Sequence, residues 1–173
     1  MRLFIAINFG GATRAGLITL RDELRNKSAR GKFSAPENLH LTLVFLGECG
    51  EELTARVKAA MGAVNLEPFA VTIDRVGRFR RDGGDVWWAG VRENEPLLNL
   101  QRDLTDKLAE AGFDLEKRKY SPHVTLGREV ASKESPREIE PFGETVSAIE
   151  LMKSERIHGK LMYTAIHQTL YRI

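Results

Sequence analysis

His40-Leu41-Thr42-Leu43 and His123-Val124-Thr125-Leu126 are the stretches from which the fold can be read. Both have the form His-apolar-Thr-apolar. In an extended strand, residues i and i+2 point to one face and i+1 and i+3 to the other. His40 and Thr42 therefore share a face, as do His123 and Thr125. Leu41, Leu43, Val124 and Leu126 turn the other way, into apolar packing. A shift of 83 positions carries the first stretch onto the second (40 to 123). The same shift lays Leu3-Phe4-Ile5-Ala6 on Val86-Trp87-Trp88-Ala89, and Leu17 on Leu100. Such self-similarity points to two similar lobes, roughly 1–80 and 85–173, joined in a single bilobal domain over residues 1–173. Their matching faces would meet across a groove, a common place for a ligand.

Outward from these stretches the same order of elements runs twice. Leu3 to Phe9 reads as a buried strand, and Leu17, Leu20 and Leu24 make one stripe of a helix from Ala12 to about Arg25. Gly31, Pro36 and Asn38 mark a loop before the strand His40 to Leu46. A helix follows from Glu51 to Val64, then a strand from Phe69 to Val76. Arg81-Asp82-Gly83-Gly84-Asp85 is a turn. The second round gives a strand from Val86 to Val91 and a helix from Glu95 to Ala111, striped by Leu97, Leu100, Leu104 and Leu108. A loop between Gly112 and Pro122 leads to the strand His123 to Leu126. Ser132 to Pro141 is polar and without a clear period, and strands are expected over Thr145–Met152 and Tyr163–Tyr171. The fold class this predicts is α+β: two similar lobes with pseudo-twofold symmetry, largely antiparallel sheets flanking a central cleft, and helices outside.

Composition narrows the function. Of 173 residues, 42% are hydrophobic and 29% charged, as in a globular chain with one ordinary core. No apolar run reaches the ~18 residues of a membrane helix. The apolar stretch at the start is too short for a signal peptide, so a cytoplasmic location is expected. Cys49 is the single cysteine, which excludes an internal disulfide framework and most cysteine-based zinc sites. Net charge is +2, too near neutral for extensive non-specific duplex binding. Local basic clusters remain, at Arg75, Arg78, Arg80 and Arg81 and at Lys117, Arg118 and Lys119.

Two imidazoles and two hydroxyls around one small space suit phosphoryl transfer by general acid–base catalysis. With an ordinary pKa near ~6.5, histidine holds either protonation state close to neutral pH. One imidazole takes a proton from the nucleophile and the other gives one to the leaving oxygen. The threonine hydroxyls donate to the non-bridging phosphate oxygens. A strained five-membered cyclic phosphate needs no metal for this. A zinc site would need a further ligand, and Glu48, Cys49 and Glu129 near the two strands have no metal-ligand spacing, so neither metal nor cofactor is expected. His158 and His167 have no threonine two residues on and no repeat partner; they read as surface or packing residues. Adjacent Trp87 and Trp88 would point to opposite faces of a strand, one into the core.

The segments Pro36-Glu37-Asn38-Leu39-His40-Leu41-Thr42-Leu43 with Phe45-Leu46-Gly47, and Arg118 with Ser121-Pro122-His123-Val124-Thr125-Leu126-Gly127-Arg128, resemble the 2H phosphoesterases. Among them the chain is most similar to the bacterial and archaeal RNA 2′,3′-cyclic phosphodiesterases, also called 2′-5′ RNA ligases. Arg2-Leu3-Phe4-Ile5-Ala6-Ile7, Leu151-Met152-Lys153-Ser154 and Tyr163 extend the resemblance over nearly the whole chain. It implies hydrolysis of a terminal 2′,3′-cyclic phosphate on RNA, tRNA fragments among the substrates, to a 2′-phosphate. The reverse direction makes a 2′-5′ bond. By resemblance His40 is the proton donor to the 3′ oxygen, His123 the acceptor that activates water, and Thr42 and Thr125 hold the phosphate. No obligate protein partner is implied.

Arg118, Tyr120, Arg128 and Phe45 are further substrate-binding candidates, the arginines by pairing with phosphate and Phe45 by stacking on a base. Strand parity opposes two of them. In a regular strand Arg128 lies opposite His123, and a bend at Gly127 is needed to bring it into the cleft. Phe45 stands in the same relation to His40. Three rival readings share these residues: a phosphodiesterase for 2′-5′ oligoadenylate, one for a small cyclic nucleotide phosphate, and a non-catalytic protein that binds RNA ends.

Overall fold

A computed structural model describes residues 1–171. The elements run β1 (Arg2–Asn8), α1 (Gly11–Asn26), β2 (Ser28–Phe33), a 3-10 turn at Pro36–Asn38, β3 (His40–Glu48), α2 (Glu51–Ala63), β4 (Phe69–Phe79) and β5 (Asp85–Val91). They continue with α3 (Glu95–Glu110), β6 (His123–Ser132), β7 (Arg137–Val146), β8 (Ala148–Ile157) and β9 (Lys160–Leu170). The leucine stripes make the helices: Leu17, Leu20 and Leu24 are buried on α1, and Leu97, Leu100, Leu104 and Leu108 on α3. Asn94 caps α3, its side-chain oxygen accepting from the Leu97 N–H at 2.8 Å.

Eight strands lie in the order β7-β4-β5-β6-β3-β1-β8-β9, and β2 adds to β6 outside that path; every pair is antiparallel. The order is symmetric about its centre. β6 and β3, β5 and β1, β4 and β8, and β7 and β9 occupy equivalent places on either side. The pseudo-twofold axis passes through one residue pair, Leu41 with Val124, which are each other's repeat equivalents. They form the one paired position between β3 and β6. The lobes meet there, and the two His-x-Thr segments lie side by side in opposite directions.

Each lobe draws on both repeats. β4, from the first, pairs with β5 and β7, while β8 and β9, from the second, join β1. The helices cross as well: α1 packs on β2, β6 and β7, and α3 on β3 and β4. Neither repeat could bury its apolar faces alone, so the cleft is built from parts that cannot separate. The main core lies on the helix side and includes Leu41, Leu43, Val124, Leu126 and Trp87, the last 1% exposed. Trp88 lies half-buried on the opposite face, as alternation along a strand requires.

Three stretches depart from the sequence expectation. The segment around Gly31, expected as a loop, forms β2, whose exposed polar residues carry no hydrophobic period; it is held by pairing with β6. The unassigned polar stretch before Pro141 contributes the start of β7, a charged strand paired with β4. The single strand expected over Thr145–Met152 is the end of β7 and the start of β8.

Candidate active site

Each of the two motif imidazoles is oriented by its own backbone. His40 Nδ1 lies 2.7 Å from the Asn38 carbonyl oxygen, and His123 Nδ1 lies 2.7 Å from that of Ser121. A carbonyl can only accept, so Nδ1 carries the proton in both rings and each neutral imidazole presents the Nε2 lone pair. Asn38 and Ser121 are repeat equivalents, so one local device is used twice. Thr42 Oγ1 lies 2.8 Å from His40 Nε2. Its hydroxyl donates to the neutral ring and accepts from the protonated one.

Aromatic rings wall both histidines. Phe4 lies 4.8 Å from His40 between ring centroids, and Tyr163 meets it edge-on at 5.1 Å. Phe79 meets His123 edge-on at 5.3 Å, with Trp88 at 6.2 Å. Burial lowers the pKa of both imidazoles. For His40 the Asn38 hydrogen bond opposes that, while the charges of Arg128 and His123 add to it. For His123 the Ser121 bond opposes it and Arg128 adds to it. Both rings are therefore poised as bases in the free protein, and an anionic substrate would restore their affinity for protons.

The parity objection to Arg128 and Phe45 is removed by two matching bulges. Ala6 pairs with Thr42 but Ile5 pairs with Val44, so Leu43 is an extra residue in β3. Trp88 pairs with Thr125 but Trp87 pairs with Gly127, so Leu126 is an extra residue in β6. Leu43 and Leu126 are repeat equivalents, buried at 3% and 0% exposure. A bulge re-aims every side chain beyond it. Phe45 thereby returns to the face of His40 and Thr42, where it is 70% exposed and 6.1 Å from Phe4. Arg128 returns to the face of His123 and Thr125, and its charge acts on His40, His123 and Tyr163 together. These two substitutions at one repeat position make the symmetric cleft unequal, with a ring on one side and a guanidinium on the other.

Tyr120 and Arg118 have other surroundings. The Tyr120 hydroxyl donates to the Thr42 carbonyl at 2.8 Å and its half-buried ring packs on the core. Ser34 does the same on the other side, donating to the Thr125 carbonyl at 2.9 Å. Each threonine is thus fixed by a hydroxyl next to its bulge. Arg118 is exposed and bonded to Glu116, with its Nε 2.6 Å from Oε1. Sequence reasoning does not mark Ser34, Phe4 or Phe79 as site residues, since their signal is proximity to the motif strands in space. His158 sits at positive φ in the β8–β9 turn, and His167 lies on β9. Among the described residues, no group of three or more His, Cys, Asp or Glu is gathered to hold a metal ion.

The profile of the 2′-5′ RNA ligase superfamily matches residues 14–158, a span that contains both His-x-Thr segments and both bulges. The chain belongs to the 2′-5′ RNA ligase superfamily. Within this superfamily it is 37% identical over 151 residues to an RNA 2′,3′-cyclic phosphodiesterase of Archaeoglobus fulgidus, covering 83% of this chain and 85% of that one. It is 31% identical over 170 residues to the RNA 2′,3′-cyclic phosphodiesterase of Escherichia coli, covering 95% and 93%. Among solved structures it is similar to E. coli LigT complexed with 3′-AMP. The TM-score is 0.85 at 28% identity, over 98% of this chain and 97% of the other. A Thermus thermophilus protein superposes with a TM-score of 0.82 at 29% identity, over 99% and 98%. Superfamily membership and the α+β fold with its symmetric strand order agree. Among the described residues, no helix is long and apolar enough to cross a membrane.

Proposed function

We propose that this protein is an RNA 2′,3′-cyclic phosphodiesterase that opens the cyclic phosphate at an RNA 3′ end to a 2′-phosphate. The observation that carries the reading is the pair of Nδ1-anchored imidazoles, each left with Nε2 for proton transfer in one cleft, that of His40 shared with the Thr42 hydroxyl. His123, the less buried ring, takes a proton from water. The water oxygen bonds to phosphorus, the bond from phosphorus to O3′ breaks, and His40 gives its Nε2 proton to O3′. Two protons move and the charge balances without a metal or cofactor. Thr42, Thr125 and Arg128 stabilise the phosphate oxygens as charge builds on them. Phe45 stacks on the terminal base. Tyr120 is a positioning residue acting through the Thr42 carbonyl, and Arg118 assists from the surface near Glu116. RNA ends, tRNA fragments included, are the substrates, a cytoplasmic location fits them, and a 5′-hydroxyl in place of water runs the reaction towards a 2′-5′ bond.

The deciding experiment is turnover of adenosine 2′,3′-cyclic phosphate, with the position of the product phosphate identified. The expected product is the 2′-phosphate, formed at an undiminished rate after exhaustive chelation. A 3′-phosphate product would reverse the assignment of the leaving oxygen. Activity lost to EDTA and restored by zinc or manganese would sink the two-histidine mechanism.

A further inference from the structure

The catalytic cleft continues on lobe one, the half built from β3, β1, β8 and β9, as a cationic strip that the chemistry at phosphorus does not use. The pairing of β1 with β8 is regular, so Arg2, Phe4 and Ala6 share a face with their partners Ser154, Met152 and Glu150. Arg156 follows on that face of β8, and Tyr163 joins it from β9 opposite Ser154. Phe4, Ala6, Met152 and Tyr163 form a small apolar cluster separate from the main core. It is the floor on which Phe45 and His40 rest.

Among the described residues, no acid pairs with the cations bordering this floor. Among the described residues the Arg2 side chain makes no hydrogen bond or ion pair, and that of Arg156 makes one long contact, from Nη1 to the Gly159 carbonyl at 3.4 Å. The acid nearest Arg2 in register, Glu48, faces the Met1 ammonium at 3.4 Å. The other acid on the face, Glu150, accepts from Asn8 at the far end of β1. Arg2, Arg156 and Arg128 all act on the Tyr163 hydroxyl, opposing the burial that raises its pKa. Register thus sets Arg2 and Arg156 on the same face as Tyr163, beside the exposed ring of Phe45.

We propose that Arg2 and Arg156, with Tyr163 between them, bind the phosphodiester that precedes the terminal nucleoside, so that the cleft selects an RNA chain over a free cyclic nucleotide. The inference rests on the proposed function, since it takes O3′ to leave at His40 and the terminal base to stack on Phe45. The chain then leaves the cleft over lobe one. β1 and β8 are the next strands outward from β3 in that direction, each about 5 Å further. A mononucleotide ends before it reaches them. Arginine is suited to the task, because its planar fork pairs two phosphate oxygens at once.

The test compares two substrates in two proteins. One substrate is adenosine 2′,3′-cyclic phosphate; the other is a pentaribonucleotide ending in the same group. Wild type should favour the pentamer through a lower KM. The double variant Arg2→Gln/Arg156→Gln should lose about five- to tenfold in kcat/KM on the pentamer at low salt and leave the mononucleotide unchanged. Its salt dependence on the pentamer should flatten by about 0.7 in log–log slope for each phosphate that is no longer neutralised. Arg2→Lys/Arg156→Lys should recover part of the preference. Equal losses on both substrates, no loss on either, or a wild type without preference for the pentamer would overturn the proposal and leave the hydrolase reading standing. A wild type that turns over neither substrate would remove the hydrolase reading and this inference with it.

Discussion

In the proposed mechanism one residue type in one pattern carries most of the chemistry, and its geometry makes the two copies separable. Both imidazoles keep Nδ1 tied to a carbonyl, so both act through Nε2. The Thr42 hydroxyl is bonded to His40 at 2.8 Å, so in the proposed mechanism it supports the acid as well as the phosphate. His40→Ala and His123→Ala should each cost at least ~10²-fold in turnover, the lower end for a lost acid–base group. Their roles separate on a substrate whose leaving group needs no proton, such as a nitrophenyl ester of a nucleoside 2′-phosphate. That ester should partly rescue His40→Ala and fail to rescue His123→Ala, which still lacks the base for water. Rescue of His123→Ala alone would exchange the two assignments. Thr42→Ala and Thr125→Ala should each lose on the order of a hundredfold in kcat, as when one donor to a developing oxyanion is deleted. Circular dichroism would confirm that they remain folded, and wild-type kinetics in the double variant would show that the hydroxyls serve only the strands.

At the scale of the element, the bulges in β3 and β6 decide what shares a face with the histidines. Strand parity alone would have sent Phe45 and Arg128 away from the cleft. Leu43 and Leu126 each add one residue, and both side chains return. A bulge has no signature in a run such as Leu-Val-Phe-Leu-Gly, because an extra apolar residue looks like one more core position. The His-x-Thr faces, the leucine stripes and the repeat were legible because each is a period. β2 and β7 were not, since exposed strands held by their neighbours have no need of one. The bulge makes Phe45 testable: Phe45→Ala should raise KM for a cyclic nucleotide roughly tenfold, within the 1–3 kcal/mol of a stacked base, with kcat little changed. A fall in kcat at constant KM would place the ring in the chemistry rather than in binding. Tyr120→Phe removes the bond to the Thr42 carbonyl and should cost about 1 kcal/mol of stability, measurable by urea unfolding. An unchanged midpoint would show that water replaces the bond.

For the molecule as a whole, the exchange of strands and helices between repeats fixes two half-buried histidines close together, and that has a cost that pH reveals. Both folded-state pKa values lie below the ordinary 6.5, chiefly through burial. The unfolded chain therefore binds protons before the folded one does. Stability is complete above about pH 7 and falls as pH drops through ~6.5 towards the lowered folded values. Asp74 contributes in a separate window. Burial raises its pKa, but hydrogen bonds and charge from Arg92 and Arg75 prevail and hold it below the ordinary carboxylate range, so its share is lost only at more acid pH. Between pH 7.5 and 5.5 the wild-type Tm should therefore decline, and in His40→Ala/His123→Ala it should decline less. Arg128→Gln should also flatten the slope, since its charge adds to the cost of protonating either ring. Inorganic phosphate supplies the missing counter-charge and should raise the wild-type Tm more at pH 5.5 than at 7.5, because it binds best when the imidazoles are protonated. In the double histidine variant that difference should largely vanish. Equal slopes in wild type and double variant, or a phosphate effect independent of pH, would show that the cleft does not resist protonation and that neither ring is held as a base.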